Sequence, residues 1–181
     1  MHTFLYRTNA LATFASTVLS VICMLATSTD YFHTAQPEIS LKLAKTERMF
    51  KSDYGNDEAH LALSLDADLR PLFSWNTKQL FVFVQAEYTT QKNVLNQVSL
   101  WDRIIEEPED AVLHMPYMRN KYKLVDQGHN LRGRMVNLTF VWNVMPISGV
   151  IYTQQKVFPN IQLPADYVGQ GAGRGRRYQG G

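Results

Sequence analysis

A single cysteine, Cys23, occurs in the 181-residue chain, so no disulfide can close within it and no Cys/His spacing offers a zinc site. Charge of one sign is lacking too. The 18 Lys and Arg against 16 Asp and Glu leave a net +2, which excludes the basic face of a dedicated nucleic-acid binder. Catalytic motifs are scarce. There is no GxSxG, no Gly-rich phosphate loop, and no HExxH among His2, His33, His60, His114 and His129. Paired carboxylates stand on one strand face at Asp66 and Asp68, but no third ligand lies nearby, and a solvated strand end accounts for them. No catalytic, metal-binding or cofactor-binding residue is therefore assigned, and no small-molecule substrate is implied. A Ser/His/Asp triad can assemble from distant positions, so an enzyme with a non-local site stays open as the alternative.

The stretch between Arg7 and Asp30, TNALATFASTVLSVICMLATST, carries no charge. Its roughly 22 residues, at about 1.5 Å each, span the roughly 30 Å of a bilayer's hydrocarbon. A cleavable secretory signal competes, with Ala26 in LATST as its cutting point, but the run exceeds an ordinary signal core. The expectation is a retained transmembrane helix over residues 9–29. Ala10, Ala12, Ala15, Ser16 and Ser20 lie along one side, where small residues let helices approach closely. Arg7 before the helix and Asp30 after it place residues 1–8 in the cytosol and residues 30–168 in a lumen.

Asn137-Leu138-Thr139 is an N-glycosylation acceptor, which agrees with a lumenal location. No other Asn is followed two places on by Ser or Thr. In MVNLTFVWNVMP, Val136, Leu138, Phe140, Trp142 and Val144 share one strand face. Asn137, Thr139, Val141 and Asn143 share the other, which turns the acceptor away from the core.

Period-two alternation recurs through the body of the chain. ISLKLAK aligns Ile39, Leu41 and Leu43, and HLALSLDADL aligns Leu61, Leu63, Leu65, Ala67 and Leu69. KQLFVFVQAEY is apolar on both faces at first, as a strand covered on both sides is, and VLNQVSLWDRII pairs with it through a polar loop. Trp75 and Trp101 bracket that hairpin; the sequence leaves open whether both are core or one contributes to a partner surface, where Trp is enriched. NKYKLVD and RMVNLTFVWNV flank the turn QGHNLRG, and GVIYTQQKVF closes the series before Pro159. The 45% hydrophobic content supplies a sizeable core, and the pattern predicts a mainly β chain: an antiparallel β-sandwich behind one helix. The last stretch, 169–181, is Gly/Arg-rich and too polar to fold; it reads as a disordered, solvated tail.

The block LFSWNTKQLFVFVQAEYTTQKNVLNQVSLWD resembles the signal peptidase complex subunit 3 family, the glycosylated accessory subunit of the endoplasmic reticulum signal peptidase. MHTFLYRTNAL is similar to that family's start, and NLTFVWNVMPISG to its acceptor-bearing strand, which carries the glycan onto Asn137. The similarity runs from Met1 to about Tyr167. Glu106–Ala111 looks like a variable loop, and the tail after Tyr167 departs from the family pattern. The resemblance implies a single-pass type II protein of the endoplasmic reticulum membrane with no catalytic residues and no cofactor. It also implies partners: the catalytic serine-protease subunit, held by the lumenal domain, and the other membrane subunits. On this reading the Lys78–Tyr88 strand supplies core on both faces.

Overall fold

The computed structural model describes residues 3–30, 32–33 and 35–169. The tail expected over 169–181 lies outside them except for Gly169, as do Met1 and His2 of the N-terminal stretch.

Helix α1 spans Phe4–Asp30, so it begins within the segment expected to precede the span. Six of its hydroxyls fold back onto carbonyls three or four residues earlier: Thr8 to Phe4 (3.0 Å), Thr17 to Thr13 (2.9 Å), Ser20 to Ser16 (2.8 Å), Thr27 to Cys23 (2.9 Å), Ser28 to Met24 (2.8 Å) and Thr29 to Ala26 (2.7 Å). This satisfies those polar groups inside the helix, the condition for placing Thr and Ser in hydrocarbon. The helix buries none of its side chains.

Eight strands follow: β1 (Glu38–Lys51), β2 (Asp57–Asp68), β3 (Thr77–Tyr88), β4 (Asn96–Ile105), β5 (Val112–Arg119), β6 (Leu124–Val125), β7 (Met135–Pro146) and β8 (Tyr152–Gln162). Short 3-10 turns at Arg70–Leu72 and Pro108–Ala111 join β2 to β3 and β4 to β5. One sheet runs β1-β2-β5, with β6 on the start of β2; the other runs β4-β3-β7-β8. All named pairings are antiparallel. The expected sandwich is present, with its core between the sheets. Leu61, Leu63, Leu65 and Ala67 of β2 face Leu80, Val82, Val84 and Ala86 of β3 and the even-numbered residues Val136–Val144 of β7, all buried. Lys156 Nζ ties β8 to β1 by donating to the Ile39 carbonyl at 2.8 Å.

Three local expectations are corrected, and the open choice for the two tryptophans is resolved. Strand β3 buries one face only: Leu80, Val82, Val84, Ala86 and Tyr88 point inward, while Phe81 and Phe83 stand half-exposed on the outside. No second layer covers that face among the described residues. Trp101 packs against the core, but Trp75 is 68% exposed, because it sits in the loop before β3 rather than on the strand. NKYKLVD yields only the two-residue β6, and QGHNLRG carries the chain from one sheet to the other instead of closing a hairpin. Strand β8 starts at Tyr152 and runs through Pro159. It is an edge strand, and the register against β7 slips between Val136 and Leu138, where Pro159 and the left-handed Asn160 (φ 64°) form a bulge that needs no ladder donor.

Strand β5 is an addition to the sequence reading. It is also an edge strand, and its Pro116 falls where the register slips between Leu63 and Leu65.

Candidate functional site

The expected carboxylate pair does not converge on a ligand. Asp68 is taken by Arg70, whose Nη2 and Nε reach it at 2.6 and 2.9 Å, and Asp66 is hydrogen-bonded to the exposed His114. Ser40 stands opposite Asp66 on β1 and His114 opposite it on β5, so the three residues form one row across the sheet. The order is wrong for nucleophilic catalysis. The carboxylate lies in the middle, and the imidazole is two strands from the hydroxyl, roughly 10 Å away, where a general base must touch it. The shallow groove beside this row, lined by Gln36–Ser40, Asp66–Asp68, Val112–His114 and Lys156, is open to solvent. No group of three or more His, Cys, Asp or Glu able to hold a metal occurs among the described residues.

A second polar cluster lies at the far end of the sandwich, and sequence patterning did not reveal it. Asp57 and Asp126 are buried, at 0% and 3% exposure. Asp126 Oδ2 accepts from Gly128 N (2.8 Å), Asn130 N (3.2 Å) and Asn130 Nδ2 (2.8 Å), and its Oδ1 accepts from Tyr88 Oη (2.9 Å). Asp57 accepts from Leu131 N (3.2 Å) and from Tyr167 Oη (2.8 Å). Burial pushes the Asp126 carboxyl up, but the donors from Asn130, Tyr88 and Gly128 outweigh it and hold the group below its ordinary range. Burial, then the bond to Asp126, pushes the Tyr88 phenol up. Each carboxylate is engaged in tying the 126–134 crossover to the sheets, so the cluster has an architectural role.

What remains open is surface. On the outside of the β4-β3-β7-β8 sheet, Ile104, Phe81, Asn143 and Thr153 form one row, and Asp102, Phe83, Val141 and Gln155 the next. The Phe81 and Phe83 rings lie 5.6 Å apart, and with Ser99, Asp102 and Tyr122 they line a shallow, mostly apolar depression. Asn137 belongs to the same face, opposite Glu87, ten residues along β3 from Thr77 and therefore roughly 30 Å away. Its amide is half-buried and its Oδ1 accepts from Asn160 N at 3.3 Å. Thr139, the third residue of the acceptor, is fully buried, and its hydroxyl has no partner.

The helix joins the sandwich at the opposite end from Asn137. Asn76, 1% exposed, donates through Nδ2 to Asp30 Oδ2 and to the Ser148 carbonyl, both at 2.8 Å, and accepts from Ser148 N at 3.1 Å. One amide thus links the helix, the loop before β3 and the β7–β8 hairpin. The aromatic depression lies midway along the outer face, between this junction and Asn137.

Geometry defines a class: a β-sandwich carried on one helix long and apolar enough to cross a membrane, with an uncovered sheet face and no catalytic constellation among the described residues. The sequence profile of the family described as "Signal peptidase subunit" matches residues 1–166. The chain is 35% identical over 168 residues to a Dictyostelium discoideum protein named signal peptidase complex subunit 3, covering 93% of this chain and 98% of that one. Proteins of the same name from Gallus gallus and Homo sapiens are 35% and 34% identical over 157 residues, covering 83% of this chain and 87% of each. The chain belongs to the signal peptidase subunit family.

Proposed function

We propose that the chain is a non-catalytic accessory subunit of the signal peptidase complex in the endoplasmic reticulum membrane, where signal peptides are removed from nascent proteins. Helix α1 anchors it as a single pass, the sandwich lies in the lumen, and the serine-type cleavage belongs to a partner subunit that the sandwich holds in position. The half-exposed Phe81–Phe83 pair on an uncovered sheet face carries the reading. Aromatics are enriched in the cores of interfaces, and this pair lies at the middle of the open face, where a partner's contact would centre. Charge-neutral composition and the row order Ser40–Asp66–His114 weigh against nucleic-acid binding and against the enzyme alternative.

The test is co-isolation. Phe81→Asp with Phe83→Asp should lower recovery of the catalytic subunit at least tenfold while the domain keeps its unfolding transition. Undiminished recovery would move the contact off this face.

Asn137 is proposed as the single N-glycan site. Its position far from the helix, on the outer face, supports this, and so does the lack of any other acceptor in the sequence. Endoglycosidase should shift the band of the wild type, and Asn137→Gln should remove that shift. Because β7 is paired on both sides and Thr139 is buried, the glycan must be added before β7 is closed into the sheet.

A further inference from the structure

The β7–β8 hairpin tip, Ile147–Ile151, holds three large apolar side chains and no charge. Tips of this kind in water are normally polar. Ile147, Val150 and Ile151 are 69%, 79% and 56% exposed, and Trp75 and Phe32, from two other segments at the same end, are 68% and 87% exposed. Nothing in the fold needs these side chains outside.

Their position relative to α1 says what covers them. The tip is packed on the last helical turn: a Cβ on Gly149 would stand 3.1 Å from Thr27 Cγ2, and Gly149 holds φ 129°, a backbone that favours glycine there. The Asn76 clasp fixes the tip and the Trp75 loop to Asp30. Ile147 N donates to the Asn76 carbonyl at 2.7 Å, which closes the clasp. Thr27 lies three residues inside Asp30, so the tip reaches about 4.5 Å past the helix's terminal carboxylate toward its apolar part. If the uncharged segment between Arg7 and Asp30 occupies the hydrocarbon, the tip stands at the boundary between headgroups and acyl chains.

We infer that this rim, Ile147, Val150, Ile151, Trp75 and Phe32, is a bilayer-docking surface that seats the sandwich on the leaflet facing it. The inference rests on α1 spanning the membrane. An indole at the rim suits the role, because Trp concentrates at membrane–water boundaries. Three aliphatic side chains entering the boundary layer add to the anchor as an interfacial helix would, by moving apolar surface out of water. One helix alone leaves a domain free to tilt and turn; a second attachment beside the helix end fixes its orientation.

The experiment uses the full chain in phosphatidylcholine vesicles, with an environment-sensitive fluorophore on a single cysteine. The label is placed by Val150→Cys, or by Val94→Cys at the distal β3–β4 loop, each combined with Cys23→Ala; a third sample carries it on the native Cys23. The Val150 label should shift to the blue, resist aqueous iodide and be quenched at least twofold by lipids bearing a nitroxide near the headgroup. The Val94 label should show the reverse. A Val150 label that behaves like Val94, while the Cys23 label is quenched by deep nitroxides, overturns the docking and leaves the anchor standing. A Val150 label that is blue-shifted but indifferent to lipid nitroxides means protein covers the rim, and also overturns it. A Cys23 label untouched by lipid quenchers would sink the anchor and the docking together. As a label-free check, brominated lipids should quench tryptophan emission, and Trp75→Phe should abolish most of that quenching, since Trp101 is half-buried and Trp142 lies in the core.

Discussion

The Asn76 amide makes three hydrogen bonds across three segments while almost wholly buried. Asn76→Ala strands the Ser148 backbone groups and should lower stability by about 1–3 kcal/mol in denaturant unfolding. Asn76→Asp should do more damage, because it sets a carboxylate against Asp30 Oδ2. Asp126 gives a pH signature. Its folded pKa is depressed below the unfolded value of about 3.9, so its stabilisation is complete above that value and is lost as pH falls through the folded pKa. Stability measured downward from pH 5 should therefore fall on entering the range below about 4, and Asp126→Asn should flatten that fall. Against the enzyme reading, Asp66→Ala and His114→Ala should leave turnover of the assembled complex unchanged. None of these residues except Asp66 stood out in the sequence for its chemistry. A buried Asn or Asp is recognised only through its partners, and Asp30, Ser148 and Tyr88 come from distant positions.

Strands that alternate cleanly were legible and strands that do not were missed. The β2 row Leu61–Leu65 and the β7 row Val136–Val144 were read correctly, because each faces the opposite sheet and period two survives in the sequence. Strand β5 escaped because Pro116 and a bulge break its alternation, and β8 was placed too early because Val150 and Ile151 are apolar for a reason other than core packing. Apolar residues on both faces of β3 read as double coverage, whereas Phe81 and Phe83 are half-exposed on an open face. Strand β7 yields a further prediction. The Thr139 hydroxyl is buried without a partner, a burden on the fold that the glycan acceptor motif requires. In unglycosylated protein, Thr139→Val should raise the melting temperature by about 2–4 °C, equivalent to roughly 1 kcal/mol. In glycosylating cells the same substitution should abolish the glycan.

At the scale of the molecule, a clasp joins a sandwich with an uncovered aromatic sheet face to a helix long and apolar enough to cross a membrane. Tethering makes the encounter with another subunit of the same membrane effectively intramolecular, so even a modest surface would be occupied. A stable contact of this kind should bury on the order of 2,000 Å2 in total, which an open four-stranded face and its flanking loops can supply. The central claim is that the sandwich, not the helix, selects the catalytic partner. The most direct measurement replaces residues 1–29 with an unrelated anchor of equal length and orientation, then quantifies the catalytic subunit that co-purifies. The account predicts recovery close to wild type. Loss of the catalytic subunit, with the sandwich still folded and Asn137 still glycosylated, would contradict it and make α1 the recognition element.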